Sequence, residues 1–245
     1  MISFLLLFFG FITGLIDSVV GGGGLISLPF LSWAIAPGAE AIGTNKIVGT
    51  VGASMALFVY AKKGHLVWKA GIFFCLVCAL GSFCGSSVAP LVPKEYFKYI
   101  IVLVCPIILY IVWNKDKFFS DRHVHKTYHW SVFFGAAFAS GFYDGFFGPG
   151  GGTFMFLSLY LGTGFPLLTS IAISKLANTF SAGTALLTYA HNGYVHWKEG
   201  IIMAVGMSVG SYLGASYNAK MDAKIVRPAL TIVVVLLITK LIFFS

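Results

Sequence analysis

Asp17 is followed four residues later by Gly21-Gly22-Gly23-Gly24, and Asp144 is followed in the same way by Gly148-Pro149-Gly150-Gly151-Gly152, each cluster inside a long apolar segment. A helix cannot pass through such runs. Each glycine costs roughly 1 kcal/mol relative to alanine, and proline removes a backbone donor. In lipid, a broken helix survives only where protein buries the freed backbone groups or where they line a wet cavity. The two breaks therefore read as parts of a site.

The setting is a membrane. Of the 245 residues, 58% are hydrophobic and only 10% charged, against about 25% charged in soluble domains. Apolar segments close to the roughly 20 residues that cross a bilayer recur along the chain, and no alternating polarity suggests a barrel. The expected fold class is all-α, a polytopic membrane protein. The formal net charge of +8 sits in connectors, with Lys62, Lys63 and Lys69 in one and Lys115, Lys117, Arg122 and Lys126 in another. That distribution places both connectors on the cytoplasmic side and argues against a nucleic-acid partner. The apolar start of the chain reads as a retained first span rather than a signal peptide. Cys75 and Cys78 have CxxC spacing but no second ligand pair, and Cys84 and Cys105 also lie in apolar segments. They read as small helix residues, so no metal and no cofactor is expected.

The first span is expected over 2–20, breaking at 21–24 and resuming to about 36, as a kinked long helix or a span followed by a half-helix. Further spans follow at about 41–61, 70–91 and 97–113. A polar stretch, 114–129, carries His123, His125 and His129 and reads as a solvated linker. The second half repeats the first. Asp17 falls on Asp144 and Gly21 on Gly148 at an offset of 127, while Lys46 falls on Lys175, Tyr60 on Tyr189, Gly64 on Gly193 and Gly81 on Gly210 at an offset of 129. Its spans are expected at 130–162 with a break, 166–190, 200–219 and 225–244. The organisation is thus a first transmembrane repeat (1–113), the linker (114–129) and a second repeat (130–245), with about eight transmembrane helices in two homologous, Gly-broken repeats. Paired interrupted helices are the pattern of secondary transporters; parallel and inverted repeats both remain open.

Unwound glycine segments expose N–H groups, and the half-helix after each has a partially positive N-terminus. Gly22, Gly23, Gly24, Gly150, Gly151 and Gly152 are accordingly candidate anion contacts. Glycines spaced four apart, such as Gly81 with Gly85 and Gly210 with Gly214, read instead as close helix packing. Lys46 and Lys175 lie inside apolar spans, where lysine is costly and marks function. With Thr44, Asn45 and Asn178 beside them, they suit an oxyanion; snorkelling to an interface is the plainer reading. Asp17 and Asp144 have three readings: pairing with the lysines, proton acceptance, or capping of the broken backbone. Two membrane aspartates also describe an intramembrane aspartyl protease, but the chain lacks the Gly-x-Gly-Asp element, and no catalytic residue is assigned.

Phe11-Ile12-Thr13-Gly14-Leu15-Ile16-Asp17-Ser18 with Gly21 to Gly24 and Pro29, then Gly43-Thr44-Asn45-Lys46, then Gly141-Phe142-Tyr143-Asp144-Gly145-Phe146-Phe147-Gly148-Pro149-Gly150, resemble the motifs of the TauE/SafE sulfite exporter family, also called the toluene sulfonate uptake permease family, in its YfcA-like branch. The resemblance covers nearly the whole chain. It implies a multi-pass permease of a bacterial-type inner membrane that moves sulfite, sulfoacetate, thiosulfate or other organic anions, with proton coupling. The expected partners are a small anion, the lipid bilayer and a proton, and a homo-oligomer is compatible with them. A passive anion channel is the alternative. On this reading Lys46→Ala or Lys175→Ala abolishes transport while protein level holds.

Overall fold

The computed structural model describes residues 2–20, 22–93, 95–97, 99, 100, 103, 106, 107, 110 and 130–217. The spans expected at 97–113, apart from those isolated positions, and at 225–244 lie outside the described residues, as does the linker with its three histidines. Within the described residues the secondary structure is helical: α1 (Ile2–Val20), α2 (Gly24–Ala34), α3 (Ala39–Lys62), α4 (Trp68–Val88) with a 3-10 turn Ala89–Leu91, α5 (Trp130–Phe146), α6 (Gly151–Thr163), α7 (Leu167–His191) and α8 (Trp197–Tyr217).

Both breaks fall where the glycines are. Gly22 has φ +87°, Gly148 +99° and Gly150 +77°, left-handed values that a side chain disfavours. The chain does not bend there; it reverses. Phe9 of α1 stacks on Phe30 of α2 with ring centroids 4.4 Å apart, and Tyr143 of α5 meets Phe154 of α6 at 4.9 Å. Of the two forms expected for the first segment, the half-helix is the one observed, folded back on its own span. With 11 residues, α2 is about 16 Å long, roughly half a hydrocarbon core.

The two longest helices end alike. After α3, Gly64 N–H donates to Ala61 O at 3.0 Å and His65 N–H to Tyr60 O at 3.2 Å; after α7, Gly193 N–H donates to Ala190 O at 3.1 Å and Tyr194 N–H to Tyr189 O at 2.9 Å. This is a Schellman stop, with glycine at positive φ closing the last turn. Gly64 has φ +75° and Gly193 +76°. After each stop the chain turns away rather than folding back on the helix just ended: α3 packs on α7 and α8, and α4 on α5 and α7. Gly43 of α3 meets Tyr189 and Gly49 meets Ala182, so α3 runs against α7, whereas Gly71 of α4 meets Ile173 and Leu176 and the Ser82 hydroxyl donates to Ser181 O, so α4 runs with α7.

Glycine seams fix the remaining directions. Gly10 and Gly14 of α1 press on the Met203 and Met207 carbonyls, while Gly206 and Gly210 of α8 press on those of Leu7 and Phe11. Contact positions rise together along both helices, so α1 and α8 run parallel. In the same way Gly81 and Gly85 of α4 meet the Phe138 and Phe142 carbonyls, and Gly141 and Gly145 of α5 meet those of Cys78 and Ser82. The second seam is the first displaced by the sequence offsets, with the roles of the halves exchanged. Gly200 lies on Thr44 and Ile47, and Gly52 on Met207, so α3 also runs with α8. Thus α1, α3 and α8 point one way and α4, α5 and α7 the other. Among counterparts, α1 opposes α5, α3 opposes α7 and α4 opposes α8.

Outward faces are apolar. Ile72, Leu76, Leu80 and Phe83 of α4, and their counterparts Ile201, Val205, Val209 and Tyr212 of α8, are all exposed at helical spacing. Water would not tolerate these stripes, whereas lipid does. Ala39–Lys62, Trp68–Leu91 and Trp197–Tyr217 are long and apolar enough to cross a bilayer.

The seams leave no room for a methyl group. Gly141→Ala and Gly206→Ala each drive Cβ into a facing backbone carbonyl, and each is expected to cost about 1–3 kcal/mol. Gly135→Ala, with nothing within 4 Å of the new atom, is expected to be neutral. Thermal unfolding of the three variants in detergent measures the difference.

Candidate functional site

The two breaks touch. A Cβ on Gly24, the first residue of α2, would lie 2.8 Å from Pro149 Cα in the other break. Around this contact is a cavity of about 40 Å³, walled by Gly22, Gly24 and Ser27 on one side, Gly148 and Gly150 to Gly152 on the other, and Asn45, Lys46 and Asn178 from the long helices, with Asp17 and Asp144. A water needs roughly 10–15 Å³ by this measure, so the space suits a few waters or one small ion. The N-terminal turns of α2 and α6 both open onto it, and each brings partial positive charge.

Both lysines are buried, 2% and 3% exposed, and both are paired across the halves. Lys46 Nζ lies 3.3 Å from Asp144 Oδ1 and donates to the Asp144 main-chain carbonyl. Lys175 Nζ donates to Asp17 Oδ2 at 2.6 Å and to its main-chain carbonyl at 2.7 Å. Neither lysine snorkels. Each ammonium caps the C-terminal end of the other half's broken helix, where carbonyls lack helical partners. The phenol of Tyr60 does the same for Ser18 O at 2.9 Å, and that of Tyr189 for Gly145 O at 3.0 Å.

The geometry shows where two of the three readings of the aspartates, pairing and capping, fall. Asp17 is both ion-pair partner and cap, since its Oδ1 accepts the Gly23 N–H at 3.1 Å. Asp144 is likewise paired, and its Oδ2 accepts the Ser181 hydroxyl at 2.6 Å. With separate partners on both oxygens, the carboxylates do not form the shared-proton dyad of an aspartyl protease. Two opposite charges each side leave the centre formally neutral. The expectation that lysine removal leaves protein level unchanged also needs revision, because removal strands a buried carboxylate.

Other candidates divide. Asn45 and Asn178 face the cavity, and Asn45 Oδ1, on a side chain 7% exposed, has no protein partner. Thr44 does not: its hydroxyl accepts the His196 N–H at 3.0 Å and ties α3 to the start of α8. Gly23 is held by Asp17 rather than standing in the cavity wall, and Lys175 stands behind Asp17 outside it. Ser27, Gly148, Met207 and Ser181 were missed. Ser181 was within reach, because Lys175, Asn178 and Ser181 recur every third residue and share a helix face. No cluster of metal-ligating side chains occurs among the described residues.

A family model described as sulfite exporter TauE/SafE matches residues 6–241. A probable membrane transporter protein, ORF9, of Sinorhizobium sp. is 35% identical over 95% of this chain and 89% of its own length. One from Haemophilus influenzae is 32% identical, covering 96% and 92%, and the probable membrane transporter protein YfcA of Escherichia coli K12 is 31% identical, covering 98% and 89%. No solved structure matches the chain.

Breaking one crossed pair leaves an uncompensated buried charge, at a cost of about 3–5 kcal/mol, whereas removing both partners costs far less. Asp17→Asn and Lys175→Met are each expected to lower the unfolding temperature in detergent strongly. The double variant is expected to recover most of the loss, and a thermal-unfolding mutant cycle measures the coupling.

Proposed function

This chain belongs to the TauE/SafE sulfite exporter family, a family of membrane transporters, and from that premise we propose that it is a proton-coupled secondary transporter of small organosulfur or organic anions such as sulfite, sulfoacetate or thiosulfate. The observation that carries the reading is the cavity at which two half-helix N-termini, from opposed halves of the chain, meet beside Asn45 and Asn178. Anions gain from N–H groups and dipoles aimed at them, and the unmet hydrogen-bonding capacity of Asn45 faces the same space. The small cavity favours compact oxyanions over bulky aromatic sulfonates.

In this arrangement the two halves are inverted repeats in a bacterial inner membrane. The α1–α2 and α5–α6 hairpins enter from opposite faces and meet at the site. The long helices α3, α4, α7 and α8, with the spans expected at 97–113 and 225–244, cross the bilayer. Alternating access then follows from movement of the bundle around a fixed site. Opposed, near-equivalent halves support it, since exchanging their conformations turns one access path into the other.

Proteoliposomes preloaded with unlabelled thiosulfate are expected to take up labelled thiosulfate transiently and saturably. Asn45→Ala and Asn178→Ala are expected to slow this counterflow at least tenfold, a loss of about 1.4 kcal/mol, at normal protein level. Uptake that rises linearly with concentration, with no counterflow, would identify a channel.

A further inference from the structure

The two crossed ion pairs occupy matching positions, but their carboxylates have chemically different company. Asp17 is met by two groups that can only donate: the Gly23 N–H on Oδ1 and the Lys175 ammonium on Oδ2. Neither group can accept a hydrogen bond from a protonated carboxyl. Asp144 is met by Lys46 on Oδ1, at a looser 3.3 Å, and by the Ser181 hydroxyl on Oδ2 at 2.6 Å. A hydroxyl can donate or accept. If Oδ2 gains a proton, it donates to Ser181 Oγ, and Ser181 turns its own hydrogen toward a carbonyl one turn back. Ser54 and Thr179 already make such bonds, at 2.6 and 2.8 Å. The position matching Ser181 in the first half is Gly52, which has no hydroxyl and whose space is filled by Met207.

We propose that Asp144, and not Asp17, is the carboxylate that takes up the proton, with Ser181 as the hydroxyl that admits it. The step is the net uptake of one proton from the bathing solution, passed as hydronium through the cavity to Asp144 Oδ2, where an O–H bond forms and the hydronium returns to water, with nothing oxidised or reduced. Lys46 then keeps its bond to the Asp144 main-chain carbonyl but loses its counter-charge. Lys46 stands in the cavity wall, as Lys175 does not, so its ammonium becomes available to an anion. Proton and anion thereby favour each other's binding. This last step rests on the transport reading; the choice of Asp144 does not.

Other groups bear on the carboxylate. From α4, the Cys78 thiol stands within electrostatic reach of Asp144 and donates to Ala137 O. From α7 the Tyr189 phenol is similarly placed and donates to Gly145 O. The α6 side presents Gly151, without a charge, 2.5 Å from Oδ1 were it given a Cβ. Asp17 with Lys175 lies across the cavity, and α3 supplies Lys46.

Infrared difference spectra of the full-length protein in lipid nanodiscs, between mildly alkaline and mildly acidic pH, test the assignment. The carbonyl band of a neutral, buried carboxylic acid is expected to appear on acidification, to vanish in Asp144→Asn and to remain in Asp17→Asn or, should that variant not fold, in Asp17→Asn with Lys175→Met. In Ser181→Ala the band is expected only at more acidic pH, with Ser181→Thr restoring it. Persistence of the band in Asp144→Asn, its loss with Asp17, or its absence from the wild type would overturn the proposal. Thiosulfate, ionised throughout this range, is expected to bring the band in at higher pH. A band that depends on Asp144 but ignores every anion offered would uphold the proton assignment and remove the transport reading.

Discussion

Two buried ion pairs hold this molecule in register, and both run between halves rather than within them. Lys46 reaches from the first half to Asp144 in the second, and Lys175 reaches back to Asp17. A lone charge in such a place is costly, by several kcal/mol even after relaxation. Each lysine finds its counter-charge in the other half, so the pairs tie the halves together at the broken helices. The ammonium groups, the two buried phenols and the Asp17 carboxylate together occupy backbone groups that the glycine breaks set free. The cavity lies between the half-helix ends.

Much of this was legible beforehand because glycine and charge are unambiguous in an apolar sequence. The runs after Asp17 and Asp144 placed both breaks to within a residue or two, and the offsets placed the helices of the second half that lie among the described residues. The reversal at Gly22 was not legible, since a kink and a hairpin use the same residues and only the packing of Phe9 on Phe30 separates them. The partners of the lysines were legible as a possibility among three. Their crossing between halves was not, because it depends on helix directions that loop lengths alone left open. Thr44 misled: next to a site residue in sequence, it projects to another face of α3 and meets the start of α8.

The glycines prove to have two unrelated tasks. Those in contiguous runs supply backbone conformations that other residues avoid, as at Gly22 and Gly150. Those spaced by four let backbones touch, as at Gly81 with Gly85 or Gly206 with Gly210. Gly14 and Gly141 belong to the second group although they sit beside the first. In a membrane, where burying apolar surface gains little, such close approach is what holds helices together. The seams join α1 to α8 and α4 to α5, so each binds one half to the other and shares the work of the ion pairs.

The Schellman turns after α3 and α7 are built from the same bonds, yet the helix directions put them at opposite ends of the molecule. Their flanks differ accordingly: Lys62, Lys63 and Lys69 surround the first, whereas the second has His191, Asn192 and the single lysine Lys198. Positive loops stay in the cytoplasm during insertion. In the inverted arrangement proposed above, the turn flanked by three lysines is the one retained in the cytoplasm and its twin is the one carried across.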